Sequence, residues 1–368
     1  MDTEMAPPGL EGVIVGASRL SRVDGLAGTL TLAGYAVEDL APHCSFEDIV
    51  YLLWHDEFPP DSTAWAETLA QRRSLPPAAL DVLRRAATQH APAMTALRLG
   101  LGAVALDDPD DARIVAVMPT LLATFDRLRR GLEPLPPDPR LGHAADLLRM
   151  RTGATPAPAE ARALETYLCT VVEHGLNASA FAARVVASTG AATSASVEAG
   201  LCALEGPLHG GAPGPALAAL LDLRGRGGDL GDETRAWAHA QLDAGARIMG
   251  FGHRVYRVRD PRSVVLREAA EALLGNDPLL ADASRHEAAV LEVFAARKPG
   301  RSIATNVEFA TALLLHALDL PEDLFTAVFA VSRTAGWIAH AREQQASGRL
   351  IRPRLAYRGA EGRTARMS

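Results

Sequence analysis

From about residue 37 onward, apolar side chains recur at intervals of three and four. The repeat is clear in SFEDIVYLLWHDEF (45–58), across 78–89, and in DARIVAVMPTLLATFDRLRRG (111–131). That spacing places one apolar stripe along each helix and predicts a chain built mainly from amphipathic and buried helices. Before it, GVIVGASRL (12–20) and GTLTLAGY (28–35) are short β-prone runs, and the VDG between them reads as a turn. Proline- and glycine-rich breaks at 58–62, 132–142, 152–160, 223–233 and 274–280 separate the helical stretches. No repeat occurs at solenoid spacing. The pattern predicts an all-α fold with a small N-terminal β-hairpin.

Composition narrows the class. The chain has 368 residues, 48% hydrophobic and 22% charged, which is ample for a globular core and long enough for two domains. A net charge of −7 offers no basic footprint, so nucleic acid is not an expected partner. No apolar stretch is long enough to span a bilayer, and MDTEMAPPGL has no signal-peptide core. Cys44, Cys169 and Cys202 are odd in number, far apart, and form no C-x-x-C. Neither a disulfide framework nor a zinc site is expected, and the setting is read as reducing and cytoplasmic.

Candidate chemistry gathers at a few positions. His209 in PLHGG and His253 in GFGHR each stand beside glycines, where backbone without side chains lets a ligand approach closely. His174 and His340 lie in VVEHGLNASAF and GWIAHAREQ. A lone histidine on a helix is more often structural; two flanked by glycine favour a binding site. The spacing gives no H-x-x-H or H-E-x-x-H, so no metal is expected. Arg254, Arg257, Arg259 and Arg262 follow His253 closely, Arg333 lies in SRTAGW, and Arg352 and Arg354 in LIRPR. Guanidinium forks suit carboxylates and phosphates, though a solvated basic face is the default for any one of them. Glu308 is an acid at the head of the apolar run ATNVEFATALLLHALDL (304–320). Thr305-Asn306-Val307-Glu308 fits a T-x-x-E capping box, with Glu308 reaching back to the Thr305 amide; a catalytic base is the alternative. Histidine donors, arginines and one acid in an apolar setting suit proton removal next to a carbonyl and stabilisation of an enolate.

Six blocks then carry a resemblance. GLEGVIVGASRLSRVDGLAGTLTLAGYAVEDLA, HGLNASAFAARVVAST, LEGPLHGG, GFGHRVYRVRDPR, NVEF and SRTAGWIAHAREQ with RLIRPRLAY resemble, in order and over nearly the whole chain, the citrate synthase family. The resemblance implies a two-domain helical homodimer with shared active sites. Residues 1–211 and 321–368 would form the large domain, and 212–320 a small domain that closes over the substrates. It implies condensation of an acyl-CoA with oxaloacetate, the coenzyme A thioester being a substrate and no cofactor being needed. His209 would bind the thioester carbonyl, His253 the oxaloacetate ketone, and Glu308 would take the methyl proton. His174, Arg262 and Arg333 would hold the oxaloacetate carboxylates, and Arg352 would reach the neighbouring subunit's site. Arg257, Lys298 and Arg301 would meet the coenzyme A phosphates.

Three departures fall beside this site. NVEF stands where the family usually has NVDF, Pro213 replaces the asparagine of HGGAN, and HGLNASA, with Gly175 and Ala180, replaces HELNAST. They leave two alternatives beside citrate synthase proper. One is a condensation using another acyl-CoA or oxo-acid, such as propionyl-CoA giving 2-methylcitrate. The other is a family member that binds ligand but turns over poorly.

Overall fold

The computed structural model describes residues 5–210, 213–252, 256, 258–300 and 303–363. After a single 3-10 turn at Pro8–Leu10, the chain forms a three-stranded antiparallel sheet of β1 (Ser21–Asp24), β2 (Thr29–Leu32) and β3 (Tyr35–Ala36), in the order β1-β2-β3. Val23 pairs with Leu30 and Ser21 with Leu32. The sheet begins later than the sequence pattern suggests. Val13, Ile14 and Val15 are exposed and form no strand, with no strand among the described residues beside them; buried Leu30 and Leu32 fix the register instead. The turn runs from Gly25 to Gly28, so of Val23-Asp24-Gly25 only the glycine lies in it and the first two close β1. Asp24 Oδ1 accepts from the amides of Leu26 (3.0 Å) and Ala27 (2.8 Å), and Gly28 closes the turn at φ +69°.

Helices follow throughout. The first group is α1 (Val37–Leu40), α2 (Phe46–His55), α3 (Ser62–Ala70), α4 (Pro77–Thr88), α5 (Ala93–Val104), α6 (Asp111–Arg129), α7 (His143–Thr152) and α8 (Pro158–Val171). The second is α9 (Ala178–Ala187), α10 (Thr193–Leu204), α11 (Pro213–Gly225), α12 (Leu230–Asp243), α13 (Pro261–Leu274), α14 (Pro278–Arg297), α15 (Val307–Ala317) and α16 (Phe325–Ser347). Short polar side chains start many of them: Ser45, Asp61, Asp110, Asn177, Asp229, Asp260, Asp277 and Asn306 each accept from an amide of the first turn. No helix among the described residues is long and apolar enough to cross a membrane.

The core is organised around α16, which is buried on nearly every side and touches α2, α6, α8, α9 and α10. Small residues let it come close. A Cβ on Gly200 of α10 would lie 2.6 Å from the Trp337 ring, and one on Gly336 would lie 2.4 Å from the Val172 carbonyl. Arg73 is fully buried and binds Glu47 of α2 and Asp146 of α7, pinning those helices with charge rather than apolar contact. Beyond α10, α15 packs between α11 and α13, and α13 also lies against α8. A second, smaller core joins Ala238, Ile248, Phe251, Val290, Val293 and Phe294.

Candidate active site

His209 sits in the turn after α10. Its neighbour Gly210 must lack a side chain, since a Cβ there would lie 2.5 Å from the Leu204 carbonyl, and Thr326 Oγ1 donates to the Gly210 carbonyl at 2.8 Å. The imidazole faces the first turn of α9. Its Nε2 accepts from the Ser179 amide at 3.3 Å and lies 2.9 Å from Ser179 Oγ. Ser179 is itself fixed: Trp337 Nε1 donates to its Oγ at 3.1 Å, and Asn177 Oδ1 lies 2.8 Å from that oxygen. An amide donor at Nε2 assigns the ring proton to Nδ1. Burial, with the nearby Arg333 charge, pulls the pKa down to about 4, so the ring is neutral at ordinary pH.

Arg333 is buried on α16. Its Nε donates to the Val171 carbonyl at 2.8 Å, and its guanidinium lies 4.5 Å from the centre of the Phe329 ring. Burial lowers its pKa to about 10, which leaves it charged. Glu173 supplies the opposing charge; it accepts from Ser21 Oγ at 3.0 Å and lies 3.1 Å from His340 Nε2. Ser21 also accepts from the Gly175 amide at 2.9 Å, so β1 fixes the segment that carries His174. Gly175 has φ +63°, a conformation in which a side chain would be strained. His174 Nε2 lies 3.1 Å from Tyr256 Oη.

Arg262 opens α13, where Asp260 is the N-cap and Pro261 the first helical residue. Its Nε and Nη2 meet the two Asp260 carboxylate oxygens at 3.1 and 2.7 Å, with both residues buried. The field of Arg262 reaches Tyr256, Glu308 and Arg333.

Glu308 lies in the first turn of α15, and the capping box expected there does not form. The N-cap is Asn306, one residue later than Thr305, and its Oδ1 accepts from the Glu308 amide at 3.0 Å. Thr305 instead donates its hydroxyl to Glu287. The chain turns at Asn306 because the preceding residues pair with Gly250–Gly252: Gly252 N donates to the Ala304 carbonyl and Asn306 N to the Gly250 carbonyl. The Glu308 carboxylate is left facing Asn306 Nδ2 at 3.2 Å. Burial raises its pKa, against the pull of Asn306, Arg262 and the Gly250 backbone.

The structure thus gathers His174, His209, Arg262, Arg333 and Glu308 into one neighbourhood. His253, Arg257 and Arg301 lie outside the described residues. Lys298 stands at the end of α14, with Nζ 5.5 Å from the centre of the Phe294 ring. Arg352 is exposed on the segment after α16 and, among the described residues, makes no hydrogen bond or ion pair. Sequence reasoning passed over Ser179, Trp337, Tyr256, Asp260 and Asn306. Asp260-Pro261 and Asn177 carry recognisable helix-start signals; the Trp337–Ser179 contact spans 158 positions and leaves no local trace.

The family model described as "Citrate synthase, C-terminal domain" matches residues 9–354. A citrate synthase of Haloferax volcanii is 40% identical over 369 residues, covering 95% of each chain. A 2-methylcitrate synthase of Mycobacterium tuberculosis is 35% identical, covering 96% of this chain and 91% of its own. Among solved structures, a ternary complex of carboxymethyl coenzyme A and oxaloacetate with citrate synthase of Thermoplasma acidophilum superimposes with a TM-score of 0.89. It is 28% identical and covers 99% of this chain and 98% of its own.

Proposed function

The chain belongs to the citrate synthase family and is a condensing enzyme of that type, and on that premise we propose that it joins acetyl-CoA to oxaloacetate with the gathered residues as its machinery. Glu308 takes a proton from the acetyl methyl group. His209, protonated on Nδ1, donates to the thioester oxygen as it gains enolate charge. The methyl carbon then bonds to the ketone carbon of oxaloacetate, whose carbonyl electron pair becomes an alkoxide that His253 stabilises. Water cleaves the resulting thioester, giving citrate and free coenzyme A. Arg262, Arg333 and His174 hold the two oxaloacetate carboxylates, and Arg257, Lys298 and Arg301 meet the coenzyme A phosphates. The thioester is a substrate, and no metal or prosthetic group is invoked. Residues 212–320 close over the substrates as a small domain against 1–211 and 321–368, excluding water from the enolate. The protein works as a cytoplasmic homodimer in which Arg352 serves the partner's site.

The observation that carries this reading is the neutral, Nδ1-protonated His209 in one neighbourhood with two buried arginines and the Glu308 carboxylate. A second reading, propionyl-CoA as acyl donor, is favoured by the 35% identity to a 2-methylcitrate synthase. The test is thiol release from acetyl-CoA and propionyl-CoA with oxaloacetate, with products identified by mass spectrometry. Citrate as the faster product supports the first reading and 2-methylcitrate the second. Tight oxaloacetate binding without thiol release from either would leave a ligand-binding protein.

A further inference from the structure

Capping alone does not explain why an asparagine stands at 306. A cap needs one side-chain oxygen, and Asn306 supplies it through Oδ1 to the Glu308 amide at 3.0 Å. Serine, threonine or aspartate would cap about as well. What asparagine adds is the amide nitrogen at the other end. Here Nδ2 donates to two acceptors, the Gly252 carbonyl at 2.9 Å and Glu308 Oε2 at 3.2 Å. Its own backbone N donates to the Gly250 carbonyl at 3.0 Å, and the residue is buried. Asn306 therefore links both ends of the Gly250–Gly252 segment, which in sequence immediately precedes His253, to the carboxylate on α15.

Gly250 makes that link tight. Its φ is +87°, and a Cβ there would come within 3.1 Å of Phe309 and 3.3 Å of Ala216. The segment is therefore seated closely between α15 and α11, with no room for a side chain at 250.

We infer that Asn306 is a positioning residue for the Glu308 carboxylate, orienting it through Nδ2 and favouring its ionised form. The inference rests on the reading of Glu308 as the base. Other groups bear on that carboxylate. At the start of α13, Arg262 favours its ionised form and Asp260 opposes it. From α8, Tyr167 lies in the field of Arg262; α11 faces α15 with buried Ala216, Leu217 and Leu220. Arg262 is already paired with Asp260, so the donors placed on Glu308 itself are neutral: the Asn306 side-chain amide first, and the Gly250 backbone after it.

Two variants separate positioning from capping. Asn306→Ser keeps a capping oxygen and removes the amide. Asn306→Asp keeps the cap and replaces the donor with a like charge. Both are compared with the parent for kcat, for KM of oxaloacetate, and for the pH profile of kcat/KM with the acyl-CoA. Positioning predicts a fall in kcat of about tenfold to a hundredfold, the loss expected for one hydrogen bond to a charged group. It also predicts an acidic limb moved to higher pH, further in Asn306→Asp than in Asn306→Ser, with KM for oxaloacetate held within about threefold. An unmoved acidic limb in Asn306→Ser overturns the inference, whatever happens to kcat. If Asn306→Asp does not fold, Asn306→Ser decides alone. Glu308→Gln, assayed in parallel, keeps the two claims apart. Turnover by Glu308→Gln at the parent rate overturns the base reading itself; an inactive Glu308→Gln beside an unmoved limb in Asn306→Ser overturns only the positioning role.

Discussion

Ser179 and His209 are 30 positions apart, and the first dictates the tautomer of the second: the Ser179 amide donates to His209 Nε2 and leaves the ring proton on Nδ1. Behind Ser179 stands Trp337, whose ring fits against α10 only because residue 200 is glycine. Ser179→Ala should lower kcat about tenfold through looser placement of the ring, with KM for oxaloacetate little changed. It should also cost about 1–3 kcal/mol, because the buried Trp337 N–H loses its acceptor. Trp337→Phe removes the donor and part of a buried ring, so it should cost more stability than Ser179→Ala but less activity, since it reaches His209 only through Ser179. Steady-state kinetics beside thermal melts check both; parent-like kcat in Ser179→Ala, which keeps the amide at 179, would show that the hydroxyl does not place the ring.

The His209 ring should stay neutral across the working range. Its pKa lies near 4 in the folded protein, against about 6.5 for a free imidazole. A lowered histidine pKa means the folded state binds fewer protons, so this contribution to stability is fully present above pH 6.5 and is lost as pH falls towards 4. Nitrogen-15 spectra of the imidazoles should show a neutral His209 from pH 5.5 upward, and His209→Asn should flatten the stability profile between pH 4 and 6.5. Titration of the His209 signal near 6.5 would contradict the buried, Nε2-accepting arrangement.

Arg262 is a substrate ligand by proposal and half of a buried ion pair by observation. Arg262→Ala would strand Asp260, at 1% exposure, without its partner. We expect a loss of about 3–5 kcal/mol together with a large rise in KM for oxaloacetate. Arg262→Ala with Asp260→Asn should recover much of the stability and none of the KM. Melting curves and oxaloacetate titrations of the single and double variants separate the two roles.

Glu308 can be changed without dismantling its helix, because Asn306 provides the cap. Glu308→Gln should therefore abolish turnover while moving Tm by no more than about 2 °C. Glu308→Asp, one methylene shorter, should retain activity or raise it. The measurement is single-turnover thiol release beside a thermal melt.

The sequence exposed the helices more fully than the contacts between them. Periodicity at three and four located α2, α4 and α6 within a few residues, although only α4 lays a single face on the core and α6 is buried throughout from Ile114 to Asp126. The first β-prone run misled because Val13–Val15 have the propensity of a strand but no strand partner among the described residues. At Thr305 the motif T-x-x-E was satisfied in letters. The cap moved to Asn306 because residues 304–306 are drawn onto the Gly250–Gly252 backbone, a pairing across more than 50 positions. Glycine-flanked His209, the arginines and Glu308 were legible as chemistry. Ser179, Trp337 and Tyr256 were not, since their importance lies in what they touch.

If Arg352 completes the neighbouring site, two dead proteins should rescue each other. Mixed Arg352→Ala and His209→Ala subunits, after exchange confirmed by mass spectrometry, should regain activity, because one site in each hybrid dimer would hold both native residues. The readout is thiol release before and after exchange. Absence of rescue in a confirmed hybrid would confine each site to one subunit.

The Ser21–Glu173 bond joins positions 152 apart, and Trp337–Ser179 joins positions 158 apart. Helices can form from local sequence within microseconds, but these links need the ends of the chain to find its middle. During refolding from denaturant, far-UV ellipticity should return early and activity late, with a phase in which a largely helical chain has no working centre. For the same reason, a polypeptide still emerging from the ribosome would be inactive until α16 has been made, however much of its helix content is already present.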